Sequence, residues 1–261
     1  MTEAHFPVRR LAFRVEYEGT DYHGWQAQPD TPLTIQAELE RAVMGFLGLT
    51  VRVDGASRTD SGVHALDQLA ACTIKHPVSE SGFAKGVNRR LPAGIAIREV
   101  SEVPADFVPR FANAGKTYCY RIYSSHLRRP LIDRYAWRIP WQLDLEAMRL
   151  GAAALIGEHD FSSFAASDGS HKSAVRTLDA IVIEHEDTEL VTLRFTGRAF
   201  LKQMVRNLVG TLVDVGRGHR EAQGVEGILL AQQRQAAGPT APACGLTLEK
   251  MWMRTESRSK S

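Results

Sequence analysis

Along the first part of the chain the apolar residues Leu11, Phe13, Val15 and Tyr17 alternate with residues that include Arg14 and Glu16. That is the period-two pattern of a strand buried on one face. A loop from Glu18 to Pro32 follows, rich in Gly, Asp and Pro yet holding Tyr22 and Trp25. The spacing then becomes helical at Ile35, Leu39, Ala42, Val43, Phe46 and Leu47, with Thr34 placed to cap the first turn. Val51 to Val53 predicts a short strand, and Leu66 to Ile74 another. Phe83 and Val87 mark a short helix closed by Leu91-Pro92, and Ile95, Ile97 and Val100 give a fourth strand. The order β-α-β-β-α-β is the split βαβ, or ferredoxin-like, unit.

The second half repeats the pattern. Lys116 to Tyr123 reads as a strand, Leu145, Met148, Ala152 and Leu155 as a helix, and 178–183 with 190–195 as a strand pair around an acidic turn. Phe200 to Val215 has helical spacing and is stopped by Gly216 and Gly218. A helix around 225–235 is an addition, and Leu246 to Met253 supplies the last strand. The expected fold class is therefore α+β: two ferredoxin-like (RRM-like) halves whose antiparallel sheets join edge to edge, with a central cleft. The halves are expected at residues 1–106 and 107–254, followed by a polar tail, 255–261, that frays.

Composition narrows the class. With 44% hydrophobic and 24% charged residues the chain can bury a sizeable core. No apolar stretch reaches the roughly 18 residues that span a bilayer. Arg9-Arg10 is followed by Arg14 and Glu16, so no signal peptide is expected. Cys72, Cys119 and Cys244 are scattered and unpaired by spacing, which fits a reducing compartment; a cytoplasmic location is expected. The net charge of +2 neither requires nor excludes a polyanionic partner. Arginines do cluster, at Arg89-Arg90, Arg128-Arg129, and from Arg198 to Arg220, although such clusters are usually solvated surface.

One loop carries candidate chemistry. Gly55-Ala-Ser-Arg-Thr-Asp-Ser-Gly-Val-His-Ala65 lies between two predicted strands, with glycines that permit tight turns and close approach of a ligand. Arg58, Thr59 and Asp60 place a cation, a hydroxyl and a carboxylate side by side. Pattern alone favours an ordinary turn in which Asp60 caps a backbone N–H. There is no His/Cys/Asp set with metal-ligand spacing and no phosphate-binding glycine loop.

The whole run resembles the G-x-G-R-T-D-A-G-V-H-A loop of the tRNA pseudouridine synthase I family. Further blocks resemble that family in the same order: His23-Gly-Trp-Gln-Ala-Gln28, Thr34-Ile-Gln36 with Leu39-Glu40, Gly86-Val-Asn88 with Leu91-Pro92, and Phe107-Val-Pro-Arg-Phe-Ala112 with Lys116-Thr-Tyr118. Gly157 to Phe161, Phe200 to Gly210, and Ala241-Pro242 with Gly245-Leu246 complete the set. Ser57, Ser61 and Gln203 depart from the usual glycine, alanine and histidine.

The resemblance implies an isomerase that converts uridine to pseudouridine at positions 38, 39 and 40 of the tRNA anticodon stem-loop. It implies Asp60 as the catalytic carboxylate, with Arg206 as the cation beside it and Tyr118 packed against the uracil. Arg58 would occupy the gap left by a flipped base or hold a phosphate, and Leu246 would form an apolar wall. It implies a homodimer with tRNA across both subunits, no membrane, and no cofactor or metal. His64 and the His159-Asp160 pair are expected to be structural.

Two other readings exist. Asp60-Ser-Gly62 spells the aspartic-protease triplet, but that chemistry needs two carboxylates sharing a proton and the chain has one copy. Paired RRM-like sheets also suit a non-catalytic RNA-binding protein. Lys116 to Tyr123 makes a poor RNP1 sequence, and a binding platform has no use for Arg-Thr-Asp.

Overall fold

The structure is a computed structural model and describes residues 6–31, 33–169, 172–187 and 189–254; the expected tail, 255–261, lies outside the described residues. The chain is mixed α+β and forms two compact units, residues 6–114 with 250–254, and residues 115–249.

The first unit runs β1 (Arg9–Tyr17), α1 (Ile35–Leu47), β2 (Val53–Gly55), β3 (His64–Ile74), α2 (Glu80–Asn88), β4 (Ile95–Val103) and the single turn α3 (Pro109–Ala112). Strand β1 lies between β4 and β3, with β2 on β3, and every pairing is antiparallel. The alternation in β1 does what it predicts: Leu11, Phe13, Val15 and Tyr17 are all buried, and Phe13 meets Phe83 of α2 with ring centroids 6.0 Å apart. Helix α1 starts where Thr34 Oγ1 accepts a bond from the Ala37 N–H, at 3.3 Å. It stops at Gly48, whose φ of 69° lets its N–H reach back to the Met44 carbonyl at 2.9 Å. Burying Leu39, Val43 and Phe83 contributes about 2 kcal/mol each.

The second unit runs β5 (Asn113–Ser124), β6 (Trp137–Ile139), α4 (Leu145–Ala153), β7 (Gly157–Asp160), β8 (Val175–His185), β9 (Leu190–Gly197), α5 (Met204–Gly216) and α6 (Gly224–Ala231). Its strands lie in the order β5, β9, β8, β7, with β6 parallel to β5. The final strand, β10 (Leu246–Met253), is divided: residues 246–249 belong to this unit and 250–253 to the first. Phe161, Phe164, Phe195, Leu208 and Leu212 form the fully buried centre.

Two helices are shorter than their spacing predicts. The periodicity from Phe200 enters a helix only at Met204, because Gln203 holds a left-handed φ of 59°. Likewise α6 ends at Ala231, where Gln232 turns left-handed at φ 50°, and Arg234–Ala236 is a separate 3-10 turn. Among the described residues no helix is long and apolar enough to cross a membrane.

Candidate active site

In the first unit the loop from Ala56 to Val63 joins β2 to β3, and its backbone and the Thr59 and Ser61 side chains are tied down. The Ala56 N–H reaches the Leu69 carbonyl at 2.9 Å. Gln68, fully buried, grips Ser57 twice: its Oε1 accepts from the Ser57 N–H at 3.2 Å and its Nε2 donates to the Ser57 carbonyl at 2.7 Å. The Tyr17 hydroxyl lies 2.8 Å from Thr59 Oγ1, and the Trp25 N–H donates to the Thr59 carbonyl at 3.2 Å. The Tyr22 carbonyl accepts from the Gly62 N–H and from Ser61 Oγ, each at 3.2 Å. That second bond is one an alanine at 61 could not make. Gly62 closes the turn at φ 77°, with the Val63 N–H on the Asp60 carbonyl at 3.2 Å.

The loop between β1 and α1 is built to fit this turn. A Cβ at Gly55 would stand 2.4 Å from the buried Trp25 ring, and one at Gly19 would stand 2.0 Å from the Val63 carbonyl oxygen. His64 Nδ1 accepts from the Gly19 N–H at 3.0 Å, so its role here is to hold the two loops together. Asp60 is therefore half-buried on a fixed backbone, with Arg58 exposed two residues before it. Neither the close approaches at Gly55 and Gly19 nor the Gln68 clamp is legible in the sequence pattern. The block His23-Gly-Trp-Gln was the available signal, since a glycine beside a tryptophan inside a polar loop marks a tight approach.

The remaining sequence-predicted residues lie in the second unit. Tyr118 on β5 is buried, its ring edge-on to Phe200 with centroids 5.0 Å apart. Its neighbour Cys119 is a core thiol that burial pushes up to about 11. Arg206, in the first turn of α5, is half-buried and donates through Nε to the Ala241 carbonyl at 2.7 Å. The Ala241 N–H returns a bond to the Arg206 carbonyl at 3.1 Å. Five residues on, Leu246 opens β10 and is buried. The tight turn before it packs Gly245 against the Tyr120 ring, where a Cβ would stand 2.6 Å away. The Tyr120 hydroxyl is bonded to the Pro242 carbonyl at 2.8 Å, and burial raises its pKa well above the usual phenol. His159 Nε2 lies 2.9 Å from the Ile156 carbonyl, and Asp160 Oδ1 accepts from both the N–H and the hydroxyl of Ser162, so this pair ties its own loop.

The pattern of the family described as tRNA pseudouridine synthase matches residues 14–112 and 152–251. Arg58 and Asp60 fall in the first match and Arg206 and Leu246 in the second, while Tyr118 lies between them. The chain is 44% identical over 245 residues to a tRNA pseudouridine synthase A of Myxococcus xanthus, covering 94% of this chain and 92% of that one. It is 42% identical over 241 residues to one of Pelobacter propionicus, covering 92% and 98%. A third, of Acetivibrio thermocellus, is 40% identical over 245 residues, covering 94% of this chain and all of the other. The chain belongs to the tRNA pseudouridine synthase family.

Proposed function

We propose that this chain is an enzyme that isomerises uridine to pseudouridine in tRNA, at positions 38, 39 and 40 of the anticodon stem-loop, with Asp60 as its catalytic carboxylate. The observation that carries the reading is family membership over most of the chain, with Arg58-Thr59-Asp60 on a loop bonded at nearly every residue. A fixed carboxylate is what the reaction requires, because positioning that is settled before substrate arrives lowers the barrier.

The reaction breaks the N1–C1′ bond of uridine and forms a C5–C1′ bond. C5 loses a proton and N1 gains one, so atoms and electrons balance with no oxidant, phosphate donor or cofactor. Asp60 serves either by attacking C1′ or by taking the 2′ proton to open a glycal route. Arg206 is the cation that stabilises the carboxylate's charged form. Tyr118 packs against the uracil and Leu246 walls it. Extracting the base from its stack costs a few kcal/mol, and Arg58 offsets part of this by filling the gap or holding a phosphate. The same reading takes the two halves expected from the sequence, divided at residues 106 and 107, as ferredoxin-like, the protein as a cytoplasmic homodimer, and tRNA as its partner.

The test is the protein with Asp60→Ala or Asp60→Asn against tRNA labelled with tritium at uridine C5. Turnover is expected to fall by at least about 10⁴-fold, with tRNA affinity within about threefold. Tritium released by purified Asp60→Ala at the wild-type rate removes Asp60 from the chemistry. A wild-type protein that binds tRNA and releases none is the non-catalytic RNA-binding alternative.

A further inference from the structure

Arg234 opens the 3-10 turn after α6 and is half-buried. Its guanidinium donates three bonds: Nη1 to the Gly238 carbonyl at 2.9 Å, and Nη2 to Asn207 Oδ1 and Thr240 Oγ1, both at 3.0 Å. Thr240 passes its own hydrogen to Asn207 Oδ1 at 2.7 Å. Asn207, fully buried, donates through Nδ2 to the Phe164 carbonyl at 2.8 Å. A carbonyl, an amide and a hydroxyl are neutral, and no carboxylate stands among these partners. Removing a cation from water without an acid to pair it is costly, and burial holds Arg234 below the usual arginine range.

What the guanidinium does in return is join two segments. A strap, residues 237–242, runs along α5: the Gly238 N–H donates to Thr211 Oγ1 at 2.8 Å, and the Pro239 carbonyl oxygen would lie 1.7 Å from a Cβ at Gly210. At its far end the strap presents the Ala241 carbonyl to Arg206 Nε. Arg234 bonds the strap at Gly238 and Thr240, and bonds the helix at Asn207, the residue next to Arg206. Only a planar fork of fixed donors spans all three acceptors at once.

We propose that Arg234 is a positioning residue for pseudouridine formation: it fixes the strap, and through Ala241 the strap fixes the direction of the Arg206 side chain. This inference rests on the proposed function, and the wild-type protein is its control.

The experiment compares kcat and KM for wild type, Arg234→Ala, Arg234→Lys and Thr240→Val, with and without millimolar free guanidinium. Arg234→Ala is expected to lose about 100-fold in kcat, the scale of an ångström's misplacement, with KM for tRNA within about threefold. Arg234→Lys has one ammonium for three acceptors and should not recover the loss. Guanidinium should restore kcat about tenfold in Arg234→Ala and leave Asp60→Ala inert. Thr240→Val keeps its shape and should lose several-fold in kcat. Wild-type kcat in folded Arg234→Ala overturns the inference, as does a loss that guanidinium leaves untouched. If Arg234→Ala does not fold, Thr240→Val at the wild-type kcat overturns it instead. A wild-type protein that releases no tritium overturns the proposed function, and this inference with it.

Discussion

Gly24 holds a φ of 85°, and a Cβ there would stand 2.6 Å from the Thr59 carbonyl oxygen. Both facts bear on the residue before Asp60. Gly24→Ala adds a left-handed strain of about 1–2 kcal/mol and a clash with backbone that no rotamer relieves. The expected result is a loss of about 2–4 kcal/mol in urea unfolding and a kcat that falls further than the folded fraction does. A protein that keeps both stability and kcat means the loop around Asp60 is not held from this side. Some of this scale was legible in the sequence. The Thr34 cap needs only a hydroxyl before a helical run, and that is local. The Gln68 clamp was not legible: an amide within Leu66 to Ile74 reads as an outward polar position, and only the folded turn supplies the Ser57 N–H and carbonyl that satisfy it.

Helix α5 illustrates the same division among elements. Its apolar spacing was correct for Met204, Val205, Leu208 and Leu212, all buried. The periodicity starts it too early, because Leu201 is buried too but lies before the left-handed Gln203, and periodicity registers burial rather than backbone direction. Strands β6 and β7, of three and four residues, are too short to display an alternation, so the sequence pattern does not announce them. Gly210 gives the helix a test. By propensity alone, glycine to alanine inside a helix stabilises by about 1 kcal/mol. Here the added Cβ would stand 1.7 Å from the Pro239 carbonyl oxygen, so the sign reverses. Gly210→Ala is expected to lower the midpoint of thermal unfolding and to reduce kcat by displacing the strap. A rise in that midpoint would mean the strap yields freely.

At the scale of the molecule, the chain leaves the first unit after residue 114 and comes back to it at 250. The pattern of Leu246 to Met253 announces a strand but not its neighbours, which is why this return could not be read from the sequence. Its chemistry is specific. Asp67, buried in β3, accepts the Met251 N–H at 2.9 Å and lies 3.6 Å from Lys250 Nζ. Arg14 Nη1 donates to the Met251 carbonyl at 3.2 Å, and the Arg254 N–H to the Ala112 carbonyl at 2.8 Å. A chain ending at Glu249 should therefore unfold first in the first unit, by hydrogen exchange at β1 and β3, although the cut removes residues far away in sequence. Equal protection of β1 and β3 in the full and shortened proteins would refute this.

The same return fixes a timetable for synthesis. Residues 6–114 leave the ribosome ahead of the second unit, yet residues 250–254 of the same unit follow about 140 positions later. At roughly 5–20 residues per second that is a wait of about 7–30 s. Throughout it Asp67 can pair with Arg14, whose Nε lies 3.5 Å from Asp67 Oδ1 in the finished fold, but not with the Met251 N–H. The loop bearing Asp60 is made about 190 residues before the strand segment that completes its unit.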